Sequence, residues 1–189
     1  YNQLTSLDVS QNTALKWLWC GSNQLTSLDV SSNLALIQLW CTGNPLNSID
    51  VSQNTALTSL SCGYSPLNSI DVSQNTALTS LHCESNQLTS LDVSQNTALT
   101  DLRCYNNQLT SLDLSQNTAL TKLNCSNNSQ LTSIDLRNGN NTNMSITAIN
   151  LINFTNNPNL TCISVDDSIW STYYWTVVNG NIDTQHYFS

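Results

Sequence analysis

Asn86-Gln87-Leu88-Thr89-Ser90-Leu91-Asp92-Val93-Ser94-Gln95-Asn96-Thr97-Ala98-Leu99 is nearly a copy of the stretch 21 residues before it. Cys20, Cys41, Cys62, Cys83, Cys104 and Cys125 return at that same interval of 21 without a slip. A fixed period of about 20–50 residues is the mark of a solenoid, a propeller or an array. The copies differ at few columns, so the period also limits where function can sit.

Each unit divides into two similar halves. One reads Leu36-x-x-Leu39-x-Cys41-x-x-Asn44-x-Leu46 and the other Leu25-x-x-Leu28-x-Val30-x-x-Asn33-x-Ala35. Both follow the leucine-rich repeat signature, with Cys or Val at the third apolar place. Leu-x-Cys and Leu-x-Val alternate with period two, so each half predicts a short strand with alternate residues inward. The Asn closes a turn, and its amide can bond backbone groups of its own and the neighbouring coil. One Asn column is Asn12, Asn33, Asn54, Asn75, Asn96 and Asn117; the other is Asn23, Asn44, Asn86, Asn107 and Asn128, with Ser65 as its substitute. The backing half is only ten or eleven residues long and itself strand-like. The expected fold is therefore a leucine-rich repeat solenoid, mainly β, with short parallel strands on both faces, low curvature and few or no helices. Leu36, Leu39, Cys41, Leu46, Ile49 and Val51 point inward in one coil. At about 1.5–3 kcal/mol per buried large side chain, such a core needs no metal and no disulfide.

Composition narrows the function. Of 189 residues only 8% are charged and the net charge is −8, against about 25% charged in an ordinary domain. This balance argues against a nucleic-acid footprint and against attraction to an anionic membrane surface. No apolar run approaches the ~18 residues of a membrane span.

The repeat resembles secreted bacterial leucine-rich repeat proteins of flavobacterial type, whose units read NxLTSLDVSxNTALTxLxC; Asn107–Cys125 carries that pattern almost letter for letter. The likeness covers roughly residues 1–137 and extends to that family's C-terminal cap at Asn159–Asp167, Trp170-Ser171-Thr172 and Trp175-Thr176. It implies export and a secreted or cell-surface life, and names no ligand. It also implies a late Cys beyond Ser189 as partner for Cys162, which falls where other coils have an outward Ser. The expected organisation is repeats over 1–137, an irregular last coil over 138–165 and a cap over 166–189. The last coil resumes the pattern as Ile146-x-x-Ile149-x-Leu151 and Leu160-x-x-Ile163-x-Val165, and the aromatics after Asp166 cover an open hydrophobic end. Tyr1-Asn2-Gln3-Leu4 matches Tyr105–Leu109 in mid-repeat, so further repeats are expected upstream, making this a monomeric repeat domain of a longer chain.

Three sets of side chains remain as candidates. The cysteine column reads as a buried thiol stack, because thiols with parallel Cβ directions neither bond well nor close a tetrahedral zinc site. The aspartates Asp8, Asp29, Asp50, Asp71, Asp92, Asp113 and Asp135 form a column on the backing face. Calcium is the alternative reading there, although a flat column does not wrap an ion that takes about six to eight oxygens; no metal or other cofactor is expected. The third set is the variable face. While SLDVSQNTA stays almost constant, the other half changes down Trp17, Gln38, Ser59, Ser80, Asp101, Lys122; down Trp19, Trp40, Ser61, His82, Arg103, Asn124; and down Gly21, Thr42, Gly63, Glu84, Tyr105, Ser126. Scaffolds that fix one face and diversify the other display a recognition surface, and contiguous exposed aromatics mark contact sites. The candidate ligand-binding residues are Trp17, Trp19, Trp40, Tyr64, His82, Glu84, Asp101, Arg103, Tyr105 and Lys122. No outward Ser or Cys is set as a nucleophile against a base, so no catalytic residue is expected. The expected function is non-enzymatic recognition or adhesion through the variable sheet, with an extracellular protein or glycan as partner. A structural spacer displaying another domain is the alternative, with ice or crystal-surface binding behind it.

Overall fold

Each Leu-x-Cys stretch becomes a three-residue strand whose central Leu points in and whose flanks point out. In a computed structural model, which describes residues 2–144 and 152–189, the first five are β1 (Trp17–Trp19), β2 (Gln38–Trp40), β3 (Ser59–Ser61), β4 (Ser80–His82) and β5 (Asp101–Arg103). Later come β6 (Ser111–Asp113), β7 (Lys122–Asn124), β8 (Ser133–Leu136), β9 (Ile152–Asn153), β10 (Cys162–Val165), helix α1 (Ser168–Tyr174) and β11 (Tyr187–Phe188). The chain is a parallel-stranded leucine-rich repeat solenoid. One sheet runs β1-β2-β3-β4-β5-β7-β9 and the other β11-β10-β8-β6. Register in the first sheet follows the repeat: Leu18 faces Leu39, Leu39 faces Leu60, and Leu60 faces Leu81. Equivalent side chains therefore stack in columns at strand spacing, about 4.8 Å.

Strands do form on both faces, but the backing sheet begins only at Ser111. In earlier coils its place is taken by extended chain tied across coils through the turns. The first Asn column donates sideways, with Asn75 Nδ2 reaching Val51 O and Asn54 O, both at 2.9 Å; the same pair of bonds recurs at Asn33, Asn54, Asn96 and Asn117. The second column also accepts. Asn86 Oδ1 takes Leu67 N–H at 3.2 Å while its Nδ2 donates to Cys62 O and Cys83 O. Where Ser65 replaces this Asn, Leu46 N–H turns instead to Asn44 O.

The core is the expected one. Leu36, Leu39, Cys41, Leu46 and Val51 are fully buried and Ile49 nearly so. All six column cysteines are buried and free. Burial drives the Cys20 thiol up to about 11 and Cys41 and Cys125 up to about 12.

The last coil corrects the expected phase. Ile146, Ile149 and Leu151 lie outside the described residues; what stacks on Leu123 is Ile152, and Phe154, fully buried, follows it at the place the cysteines hold. Asn157 then plays the second-column Asn, accepting from Asn128 N–H at 2.7 Å. The polar loop after Leu136 shifts the phase, so an apolar triplet three residues early mimics the motif. Leu160-x-x-Ile163-x-Val165 falls as read, with Ile163 over Ile134 and Val165 over Leu136. Beyond it Asp167 caps α1 by accepting from Trp170 N–H. Trp175 is fully buried among Trp170, Phe154 and Phe188, at ring-centre distances of 5.7, 5.6 and 5.7 Å. These aromatics cover the end of the core. No helix among the described residues is long and apolar enough to cross a membrane.

Candidate functional site

The first sheet sets two outward columns side by side along the solenoid, because its register holds from β1 to β7. At one end stand Trp17, Trp19 and Trp40, respectively 58%, 65% and 42% exposed. Trp17, Trp19 and Gln38 line an open hollow of about 410 Å³. Trp19 and Trp40 lie one coil apart with ring centres at 4.9 Å and planes within 13°. They stand face against face, like plates in a rack, rather than flat and side by side. Their free surfaces are their edges and the two outer faces of the pair.

At the other end, charge gathers on Asp101. His82 Nε2 lies 3.6 Å from it, Arg103 Nε 3.4 Å and Lys122 Nζ 3.8 Å. Burial alone would raise the Asp101 carboxyl, but hydrogen bonds and charge from His82 and Arg103 outweigh it and hold the group below the ordinary carboxylate range. Arg103 and Lys122 remain nearly half exposed, so their solvent-facing donors are available to a partner.

The third column departs from the sequence reading. It lies two residues past each strand, where the chain is already turning inward, and Gly63, Glu84 and Ser126 are buried. Glu84 is only 8% exposed, and its Oε2 has no hydrogen-bond partner among the described residues. Its carboxyl folds back over Gly63, where an added Cβ would lie 2.9 Å from Glu84 Cδ and 2.8 Å from Glu84 O. Glu84 is thus not the outward contact residue it was expected to be. Tyr105 is partly exposed, and its hydroxyl meets that of Tyr64 at 3.0 Å across the coil that carries Glu84. Burial, the Tyr64 hydrogen bond and the nearby Glu84 all push the Tyr105 hydroxyl upward from its ordinary value. Tyr64 occupies the turn position that requires a left-handed backbone, with φ of 55°; other coils fill it with Ser, Asn or Gly43. A bulky residue there stores strain of roughly 1–3 kcal/mol, and such strain is common at functional positions.

The structure therefore divides the candidate residues into three places on one side of the molecule: a tryptophan end, the Asp101 cluster with His82, Arg103 and Lys122, and a Tyr64–Tyr105 bridge at the rim. Sequence reasoning passed over Ser59, Ser61 and Ser80, which lie between the first two. Serine on a solvated strand reads as filler, and only the large neighbours in register give the gap its shape.

The aspartate column on the other face is occupied with turn closure. Asp8, Asp29, Asp50, Asp71, Asp92 and Asp113 each accept from the backbone N–H two residues on, at 2.9 Å. These Ser hydrogen bonds hold Asp8, Asp29, Asp50, Asp71 and Asp92 below the ordinary range, outweighing repulsion between neighbours where that acts. Among the described residues no three His, Cys, Asp or Glu side chains come together as a metal-holding group. Cys162 is half-buried beside Ser133 in register, with its thiol against the Ser189 hydroxyl.

The fold and its columns define the class, a leucine-rich repeat solenoid. Among solved structures the chain is similar to the functional domain of InlJ from Listeria monocytogenes, described as including a cysteine ladder, at 40% identity and a TM-score of 0.66, over 88% of this chain and 38% of that one. It is similar in fold to a leucine-rich repeat protein of Leptospira interrogans, at 22% identity and a TM-score of 0.66, over 86% of this chain and 48% of that one. The internalin InlF from Listeria monocytogenes matches at 20% identity and a TM-score of 0.65, over 99% of this chain and 57% of that one. The chain thus spans between about a third and three fifths of these structures' length. No family model and no curated protein matches it.

Proposed function

We propose that this solenoid is a non-enzymatic recognition module, secreted or held at the cell surface, that binds an extracellular protein or glycan through its variable sheet. The observation that carries this reading is the three neighbouring tryptophans, each between 42% and 65% exposed on one outer sheet. Leaving so much apolar ring in water is unfavourable by about 25 cal/mol per Å² relative to burial, so a partner that covers it gains that amount. The partly exposed Arg103, Lys122 and Tyr105 supply polar contacts beside it.

The test is a screen of the chain against glycan and surface-protein arrays, followed by replacement of Trp19 and Trp40 with Ser, the residue their column carries at Ser61. The double variant is expected to keep its fold and to lose about tenfold or more in affinity, as removal of a central aromatic anchor costs about 2 kcal/mol. Binding that survives the double change but is lost on Asp50→Asn with Asp71→Asn would move the site to the backing face.

A further inference from the structure

We propose that the variable face carries a slot for one acidic sugar ring, at the coil where Ser61 interrupts a file of large side chains; this rests on the reading of that face as the recognition surface. The file is set by register: Trp19 faces Trp40, Trp40 faces Ser61, Ser61 faces His82, and His82 faces Arg103. Trp19 and Trp40 already show the spacing that suits stacked rings here, 4.9 Å. The next place in the stack holds only a Ser side chain. Trp40 and His82 are anchored two strand spacings apart, roughly 9.6 Å, so a ring entering between them sits about 4.8 Å from each anchor. Aromatic stacking is favourable at such separations, about 4.5–7 Å. One face of Trp40 is covered by Trp19; the other borders the gap, and its indole N–H reaches Ser59 at 3.4 Å, which holds the ring at the gap's edge.

The floor chooses the kind of ring. Ser59 accepts from Trp40, so its own hydroxyl proton is unspent. Ser61 and Thr42 share one proton across 2.6 Å, which leaves the other free. Ser80 lies 3.2 Å from His82 Nε2. A bare aromatic side chain filling the slot would strip water from these hydroxyls and give nothing back, at about 1–3 kcal/mol per unsatisfied group. A pyranose offers a C–H face to Trp40 and its own hydroxyls to the serines.

Charge chooses the substituent. Arg103 and Lys122, each nearly half exposed, converge on the single, largely covered carboxylate of Asp101, and the other acid nearby, Glu84, is buried over Gly63, so the charge that the wall beyond His82 shows to solvent is positive in a chain whose net charge is −8. Three of the four Lys and Arg residues lie on this half of the repeat. A carboxylate on the ring would complement that wall, in the charge-assisted manner of Arg with carboxylates.

The experiment titrates the whole chain with methyl β-glucuronide, with sialyllactose and with the neutral methyl β-glucoside, following indole N–H resonances and tryptophan fluorescence. At low salt one or both acidic sugars are expected to bind about fivefold or more tightly than the glucoside and to shift the Trp40 indole signal; which one does so identifies the source of the carboxylate. Ser61→Trp extends the Trp19–Trp40 stack into the slot with a residue this column already carries, and should weaken binding about tenfold or more, clearly more than Ser61→Ala, which removes one hydroxyl of the floor and leaves the slot open. Arg103→Ala with Lys122→Ala should erase the preference for acid, as should salt well above physiological strength. Should Ser61→Trp not fold, Trp40→Ser removes the wall instead, with the same loss expected. Equal binding of neutral and acidic sugars, binding indifferent to Ser61→Trp or Trp40→Ser, or preference for a phenylalanine amide over every sugar overturns the slot. If no sugar binds while an array partner still needs Trp19 and Trp40, the slot falls and the recognition face stands.

Discussion

The two asparagine columns look equivalent in sequence, yet they should differ in what they contribute, and Asn75→Ala against Asn86→Ala separates them. Asn75 Nδ2 donates to two backbone carbonyls, but each of those carbonyls has a second partner: Val51 O takes Asn54 N–H, and Asn54 O takes Leu57 N–H. Asn75 Oδ1 is buried with no partner. Truncation removes two bonds of about 1 kcal/mol each and also removes one orphaned acceptor, so the net cost is about 1–2 kcal/mol. Asn86 donates to Cys62 O and Cys83 O, with a longer third bond to Glu84 O at 3.4 Å, and in addition its Oδ1 accepts the buried Leu67 N–H. Its loss strands that donor, which raises the cost to about 3 kcal/mol. Urea unfolding at constant slope reads the difference, and hydrogen exchange at the Leu67 amide reads its cause. A cost for Asn86→Ala no larger than for Asn75→Ala, or a Leu67 amide still protected, would refute the reasoning. The second result has a specific rival explanation in the fold: Leu67 could do what Leu46 does opposite Ser65, and turn back to a nearby carbonyl.

Alkali should weaken the fold through the thiol column. Unfolded thiols ionise near 9, while burial holds Cys20 at about 11 and Cys41 and Cys125 at about 12. A raised folded value means this contribution is complete below pH 9 and is lost as pH climbs through 11 to 12, at about 1.4 kcal/mol per pH unit for each thiol. Denaturation midpoints at pH 8 and pH 10 check it; a Cys41→Ala, Cys125→Ala variant with an unchanged pH slope would contradict it. Gly63→Ala places a Cβ 2.8 Å from the backbone oxygen of Glu84, and should cost about 1–3 kcal/mol in a thermal or urea melt; a neutral result would mean that Glu84 moves freely.

Most of the fold was legible because one number, the interval of 21, sets the register of every strand pair of the first sheet from β1 to β7. Leu39 lies beside Leu60 for the same reason that Cys41 follows Cys20, and columns in the sequence become columns in space. Failures came where that interval or its alternation stops. Strand alternation places Glu84 outward, but the strand ends at His82, and Glu84 directly precedes the left-handed turn at Ser85. The phase of the last coil slipped because the loop after Leu136 has no fixed length, and hydrophobicity alone does not separate Ile149 from Ile152. On the candidate site, the residues that stand out were readable as types, while the relation between them was not. The face-to-face stack of Trp19 on Trp40, the convergence of Arg103, Lys122 and His82 on Asp101, and the place of Ser61 between Trp40 and His82 are properties of distances.

A solenoid of this kind meets a general difficulty: whatever residue repeats in a column meets its own copy at about 4.8 Å on either side. Apolar residues and asparagines gain from that arrangement, and the columns of Leu, Cys and Asn fill the interior. Charges lose by it, and the two faces answer differently. On the backing face every coil keeps its Asp, and each carboxylate is satisfied by a backbone N–H of its own turn, an arrangement that each coil completes without its neighbour. On the variable face no charge is repeated in successive coils. Asp101 is followed along its column by Lys122 and flanked by Arg103, and His82 approaches it from the preceding coil. That arrangement cannot be copied coil by coil. It fixes one position along an otherwise periodic rod, next to the one place where the stack of large side chains breaks. Periodicity supplies the scaffold and its stability, and the departures from periodicity supply an address. A partner that recognised the repeat would bind at every coil, whereas one that recognises the tryptophans, the Ser61 gap and the Asp101 cluster together can bind in only one register.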